Sequence, residues 1–291
     1  MHEAEVKSWH CLAAGRDKGA FIMFKTGNKV ISLNKTQIMG VLNCTPDSFS
    51  DGGKYVSADA AVHRGKEMIA QGADIIDVGG QSTRPGYKEV TAEEEWNRIS
   101  GVIAALLREE KAVISVDTYY PQVALKALQA GVHIINDISG FKDEMLEAVS
   151  KSDCGCIVMY SGGAVTGDIL ADTREFFVGR KKAAQSYGIA DCRLCFDPGI
   201  GFNKKYEENL KLIANVEKTK LPGHGYLMAL SRKRVIGEAG GNPPPEKRTA
   251  GTIAANTIAV MGGANILRVH DVFEAVQAAK VADAVLKIGE D

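Results

Sequence analysis

Short runs of aliphatic and β-branched residues alternate along the chain with stretches whose apolar positions recur every three or four residues. That alternation predicts a strand followed by a helix, repeated around a parallel sheet. The runs fall at 37–43, 74–79, 113–118, 134–139, 156–161, 194–198, 226–231 and 266–270. Helical periodicity fills the gaps at 59–71, at 92–108 behind a Thr91-x-x-Glu94 capping box, at 207–218, and at 272–287 with Asp271 as cap. Eight such units can close a parallel sheet on itself, whereas an open doubly wound sheet generally uses about five or six strands. The pattern therefore predicts an α/β fold, a (β/α)8 barrel over residues 36–291. Residues 1–35 form an N-terminal extension; a hairpin between 21 and 33, turning at Gly27-Asn28, plugs the barrel bottom or packs beside it.

Composition narrows the functions open to such a barrel. Among 291 residues, 35 Lys and Arg face 36 Asp and Glu, so no global positive field exists to attract nucleic acid or an anionic membrane. The most apolar stretch, 252–266, is broken by Asn256 and Gly262-Gly263 and falls short of the roughly 20 residues that span a bilayer. Residues 1–35 hold no continuous apolar segment of the signal-peptide kind, and the expected location is the cytoplasm. Six cysteines then read as free thiols. Cys154 and Cys156 start one strand and Cys192 and Cys195 the next, so a structural zinc is the alternative, although the spacing is not that of a standard zinc ribbon.

Candidate chemistry gathers at the C-terminal ends of the strands, which share one mouth in a barrel. Asn43, Asp77, Asp117, Asn136, Asp197, Lys233, Arg268 and His270 all fall there. An amide and carboxylates in apolar surroundings suit a flat heterocycle bearing amidine-like N–H groups. Arg268 and His270 stand just before the last helix, whose N-terminal amides favour anions, and Ser231-Arg232-Lys233-Arg234 adds positive charge. An anionic small-molecule substrate fits. The glycine-rich loops 45–53 and 79–86 have the content of lids, and neither is a Walker loop.

The motifs carry a family likeness. Met39-Gly40-Val41-Leu42-Asn43-Cys44-Thr45-Pro46-Asp47-Ser48-Phe49-Ser50-Asp51-Gly52-Gly53 closely resembles the first signature of the dihydropteroate synthases. The likeness continues through Asp77-Val78-Gly79-Gly80-Gln81-Ser82-Thr83-Arg84-Pro85-Gly86, Ser115-Val116-Asp117-Thr118, Ile135-Asn136-Asp137-Ile138, Asp197-Pro198-Gly199-Ile200-Gly201-Phe202, Ser231-Arg232-Lys233 and Arg268-Val269-His270-Asp271, covering about 37–288. The resemblance implies a folate-pathway transferase that joins p-aminobenzoate to 6-hydroxymethyl-7,8-dihydropterin diphosphate, with Mg²⁺ assisting the loss of diphosphate. It implies that Asp117, Asn136, Asp197 and Lys233 hold the pterin, with Phe202 beside them. Asn43, Arg268 and His270 would take the diphosphate, Asn43 also reaching the metal. Phe49, Thr83, Arg84 and Pro85 would shape the arylamine pocket, with Arg234 near the arylamine carboxylate. It implies a homodimer too. A pterin-binding methyltransferase acting on a corrinoid protein, or a non-catalytic pterin-binding paralogue, are the rival readings. Gln81, Tyr160, Ala229 and Arg234 depart from the usual family residues Glu, His, Gly and Ser.

Overall fold

The eight aliphatic runs form eight parallel strands, and the last closes on the first. The computed structural model describes residues 22–45, 54–81, 89–109 and 111–289. The barrel strands are β3 (Gln37–Asn43), β4 (Ile75–Gly79), β5 (Val113–Asp117), β6 (Ile134–Asp137), β7 (Gly155–Met159), β8 (Leu194–Asp197), β9 (Gly225–Met228) and β10 (Ile266–Val269), with β10 bonded back to β3. Several end up to three residues sooner than the pattern predicts, because the polar residues beyond spend their backbone groups on turns. Ser139 N–H donates to Asp137 Oδ1 at 2.6 Å and Gly199 N–H to Asp197 Oδ1 at 2.7 Å.

Outside the strands lie α1 (Lys54–Ala70), α2 (Ala92–Leu106), α3 (Pro121–Gln129), α4 (Asp143–Ser150), α5 (Ile169–Ser186), α6 (Tyr206–Ala214), α7 (Val216–Thr219), α8 (Arg234–Ala239), α9 (Thr249–Met261) and α10 (Val272–Gly289). Thr91 caps α2 by accepting from Glu94 N–H at 3.1 Å, while the Glu94 carboxylate pairs with Arg98. The helix predicted over 207–218 is two helices. Asn215 donates its side-chain amide to Lys211 O at 2.8 Å and leaves helical geometry at φ −132°, the backbone competition expected of asparagine.

Two apolar layers hold this together. Leu42, Ile76, Val78, Ile114, Val116, Ile135 and Phe196 face outward into the shell between sheet and helices. Met39, Ile75, Val113, Ile134, Ile157, Cys195, Leu227 and Ile266 face inward and fill the bottom of the barrel. A ribbon of β1 (Met23–Thr26) and β2 (Lys29–Ser32) closes that bottom, turning at Gly27, whose φ is +65°. Its Phe24, Ile31 and Leu33 join the inner layer. Gly155 makes room: a Cβ there would stand 2.7 Å from the Phe24 ring. Gly27 N–H donates to Asp153 O at 2.7 Å and Lys29 Nζ to Ala112 O at 2.7 Å, tying the turn to the rim.

Phe24 is 0% exposed, and truncation would leave a cavity against Gly155 that cannot collapse. Phe24→Ala is expected to lower the unfolding free energy by about 3–5 kcal/mol, measured by denaturant titration. A loss below about 1 kcal/mol would mean that the ribbon is not part of the core.

Candidate active site at the barrel mouth

Along the inward face of the strands, apolar residues give way to polar ones two positions nearer the mouth, because successive side chains alternate between faces. Ile75 is followed by Asp77, Val113 by Ser115 and Asp117, Ile134 by Asn136, Cys195 by Asp197 and Ile266 by Arg268. Registration lines these up: Asn43 pairs with Gly79, Gly79 with Asp117, and Asp117 with Asn136. Gly79 leaves the gap in this row, since a Cβ on it would lie 3.6 Å from Asp117 Cβ and 3.8 Å from Asn43 Oδ1.

Arg268 binds the row together. Its Nε donates to Asp77 Oδ2 and its Nη2 to Asp117 Oδ2, both at 2.7 Å, and Asn136 Nδ2 donates to the same Asp77 oxygen at 3.0 Å. Burial works against charge on Arg268, but Asp77 and Asp117 hold it protonated and raise its pKa. Burial pushes the Asp117 carboxyl up to about 7; Arg268 pulls it down, and the neighbouring carboxylates Asp77, Asp137 and Asp197 push it up. A carboxyl poised near neutrality among buried polar side chains at the mouth of a barrel is a mark of a binding or catalytic centre. The strand-end pattern exposed Asp77 as a mouth residue but gave it no role; it proves to be the residue on which Arg268 and Asn136 converge.

The second half of the mouth is built on Asp197. Its Oδ1 accepts from the N–H of Gly199, which sits at φ +67° where an added Cβ would stand 2.1 Å from Tyr160 O. The loop that follows turns back to receive Lys233: Nζ donates to Ile200 O and lies 5.0 Å from the centre of the Phe202 ring. Burial lowers the Lys233 pKa to about 8, with Asp197 the main opposing influence. Lys204, a residue without a sequence signal, fixes this loop. Its buried ammonium donates to Tyr160 O at 2.8 Å, Gly199 O at 3.1 Å and Phe202 O at 3.2 Å. Burial lowers its pKa to about 7.

His270 is at the same end, where Nδ1 and Ser231 Oγ share a hydrogen bond at 2.9 Å. The four-residue basic run does not act as a unit. Arg232 is occupied by Asp271, with Nε to Oδ2 at 3.1 Å, and Thr249 also reaches that carboxylate, so Asp271 is committed there. Arg234 begins α8, exposed and 3.4 Å from Glu238, and the structure does not bring it to the other mouth residues. Phe49, Thr83, Arg84 and Pro85 lie outside the described residues. The cysteines do not converge: Cys195 faces into the barrel, while Cys154 and Cys156 face the outer shell. Among the described residues no three His, Cys, Asp or Glu side chains could hold a metal together.

The departures from the family pattern have defined surroundings. Gln81 donates to Tyr119 Oη at 2.7 Å and accepts from Val90 N–H at 3.2 Å. Tyr160 stacks on Phe176 with centroids 4.8 Å apart, donates to Gly163 O at 2.7 Å, and lies beneath the Lys204 ammonium. Ala229 is buried in the inner apolar layer.

Barrel and mouth have the layout of an enzyme site, and comparison with known proteins gives the class: residues 39–270 match the pterin binding enzyme family. A dihydropteroate synthase of Clostridium beijerinckii is 43% identical over 272 residues, covering 90% of this chain and 99% of its own. One of Bacillus subtilis is 42% identical, covering 88% and 90%. Among solved structures, the Xanthomonas albilineans dihydropteroate synthase with 4-aminobenzoic acid superposes with a TM-score of 0.87 at 38% identity, covering 92% and 99%. The Burkholderia cenocepacia dihydropteroate synthase complexed with 7,8-dihydropteroate gives 0.85 at 35%, covering 92% and 98%. The chain belongs to the dihydropteroate synthase family.

An ionised Asp117 accepts a ligand N–H more strongly than the protonated form, whose hydroxyl donates instead. With a folded-state pKa of about 7, affinity for a pterin is expected to weaken as pH falls below about 7, approaching about tenfold per pH unit. Calorimetric titration with 6-hydroxymethylpterin at a series of pH values measures this, and Asp117→Asn is expected to flatten the profile. A wild-type affinity independent of pH on the acid side would contradict the assignment.

Proposed function

We infer that the chain is a transferase of folate biosynthesis, a dihydropteroate synthase that condenses 6-hydroxymethyl-7,8-dihydropterin diphosphate with p-aminobenzoate to give 7,8-dihydropteroate and diphosphate. The observation that carries this reading is the row of Asp117 and Asn136 joined to Asp77 and Arg268, opposite Asp197 and Lys233. Acceptors on one side and a lysine on the other match the N–H and carbonyl edges of a pterin. The Phe202 ring beside Lys233 supplies an apolar face.

In this reading Asp117, Asn136, Asp197 and Lys233 hold the pterin, and Asn43, Arg268 and His270 meet the diphosphate, with Arg268 joining the two subsites. Phe49, Thr83, Arg84 and Pro85 serve the arylamine. The methylene C–O bond breaks as the electron-rich pterin stabilises the positive carbon. The arylamine nitrogen then bonds to that carbon and loses a proton, and no strong general base is needed. Positive groups fixed where negative charge develops do the catalytic work.

Magnesium suits the donor set. Asn43 turns its amide oxygen toward Gly79 at the end of β4, and Mg²⁺ usually takes about one or two protein oxygens and completes its shell with phosphates and water. When bound it would neutralise charge on the departing diphosphate. The five described cysteines are free thiols, the state a reducing cytoplasm maintains. No described helix is long and apolar enough to cross a membrane. A homodimer is supported by exposed Ile258 and Met261 on α9 together with Phe273, Val281, Val285 and Ile288 on the adjoining α10, an apolar stripe of the kind that self-association covers.

The test is diphosphate release from the dihydropterin diphosphate with Mg²⁺, with and without p-aminobenzoate, alongside chromatographic detection of dihydropteroate. Release and product that both depend on p-aminobenzoate are expected. Lys233→Ala should raise the KM for the pterin roughly 10- to 100-fold. Pterin binding without product would overturn the synthase reading.

A further inference from the structure

Asp77 is 0% exposed, yet its hydrogen bonding is lopsided. Oδ2 accepts from both Arg268 Nε at 2.7 Å and Asn136 Nδ2 at 3.0 Å, while Oδ1 has no hydrogen-bond partner among the described residues. Ser115, its register partner on β5, likewise has a buried hydroxyl with no partner there. A carboxylate kept for stability alone would be expected to have both oxygens satisfied, since an unpaired buried acceptor is costly. Instead Asp77 directs its bonding through one oxygen at two residues of the mouth.

The chemistry of that contact fixes something the fold alone leaves open. The two ends of an asparagine amide have nearly the same shape, so packing does not decide which points where. A carboxylate paired with Arg268 can only accept, so Asn136 must turn its NH₂ toward Asp77 and its Oδ1 away. We propose that Asp77 is a positioning residue that sets the hydrogen-bond polarity of the mouth, holding Asn136 as an acceptor so that the site selects a heterocycle edge bearing N–H donors. This rests on the pterin reading above and deepens it: Asp117 and Asn136 Oδ1 then form a wall of acceptors. A ligand with a carbonyl where the pterin carries its amino group would face that wall with an acceptor of its own and be rejected.

The experiment has two readouts. The first needs no ligand. In ¹⁵N spectra of the apoenzyme, the Asn136 side-chain NH₂ pair, identified by its loss in Asn136→Asp, is expected to be protected from hydrogen exchange. It should shift and lose that protection in Asp77→Leu, which removes the acceptor while nearly keeping the shape of the side chain. An unchanged NH₂ pair would overturn the positioning role whatever the ligand does. The second is calorimetric affinity for 6-hydroxymethylpterin against its 2-oxo analogue, 6-hydroxymethyllumazine. Wild type is expected to prefer the pterin, and Asp77→Leu to lose that preference roughly 10- to 100-fold. Asp77→Asn, whose amide oxygen can still accept from Arg268 and Asn136, should keep most of the preference. A merely structural Asp77 would give loss of thermal stability in Asp77→Leu without any change in the ratio of the two affinities; that result would overturn the proposal. Wild-type protein that protects the Asn136 amide but binds neither ligand would instead overturn the pterin reading.

Discussion

Burying carboxylates from neighbouring strands inside a barrel is strongly unfavourable unless a positive group is buried with them. Arg268 supplies it to Asp77 and Asp117 at once, reaching from β10 across the mouth to β4 and β5. Guanidinium suits this position because its planar fork sends separate N–H groups to separate acceptors, which the compact ammonium of lysine cannot do with fixed geometry. Once Arg268 is in place, the orientation of Asn136 and the ionisation of Asp117 near neutrality follow from it. Removing any one member leaves another charged or polar group buried without its partner, so the cluster behaves as a unit.

The scaffold makes this cluster possible by separating stability from chemistry along the barrel axis. The lower inward layer is aliphatic and is closed by Phe24, Ile31 and Leu33 from the ribbon. The upper inward layer is polar and is left free to be electrostatically strained. The half of the mouth around Asp197 follows the same division. Lys204 ties the loop after β8 to Tyr160 at the end of β7, and the loop so fixed offers Ile200 O and the Phe202 ring to Lys233. A buried ammonium with three carbonyl partners ties that loop down, and with it the Ile200 carbonyl and Phe202 ring that hold Lys233.

Much of this was legible in the chain. Each strand announces itself as an aliphatic run, and the mouth residues stand out because a polar residue two positions past an inward aliphatic one has no reason to be there unless it meets a partner. What was not legible depends on side-chain depth and on contacts distant in sequence. Lys204 and Lys205 read alike, and only the turn after β8 makes one buried and the other exposed. Arg232 and Arg234 read as added positive charge for an anionic substrate, but they pair with Asp271 and Glu238. The cysteine pairs looked convergent because neighbouring strands carry them; registration pairs Cys195 with inward Ile157, and Cys156 with outward Leu194, so they lie on opposite faces of the sheet. The role of Asp77 was hidden for a similar reason, since its partners lie 59 and 191 residues away.

The functional reading depends on Arg268 opposing the burial that pushes the Asp117 carboxyl up. The most direct measurement is a ¹³C NMR titration of the Asp117 carboxyl in wild type and in Arg268→Met. Wild type should titrate at about 7, and in the variant the midpoint should move upward, because the positive charge that opposes burial is gone. A midpoint that is unchanged or lower in Arg268→Met would show that something other than this guanidinium organises the site.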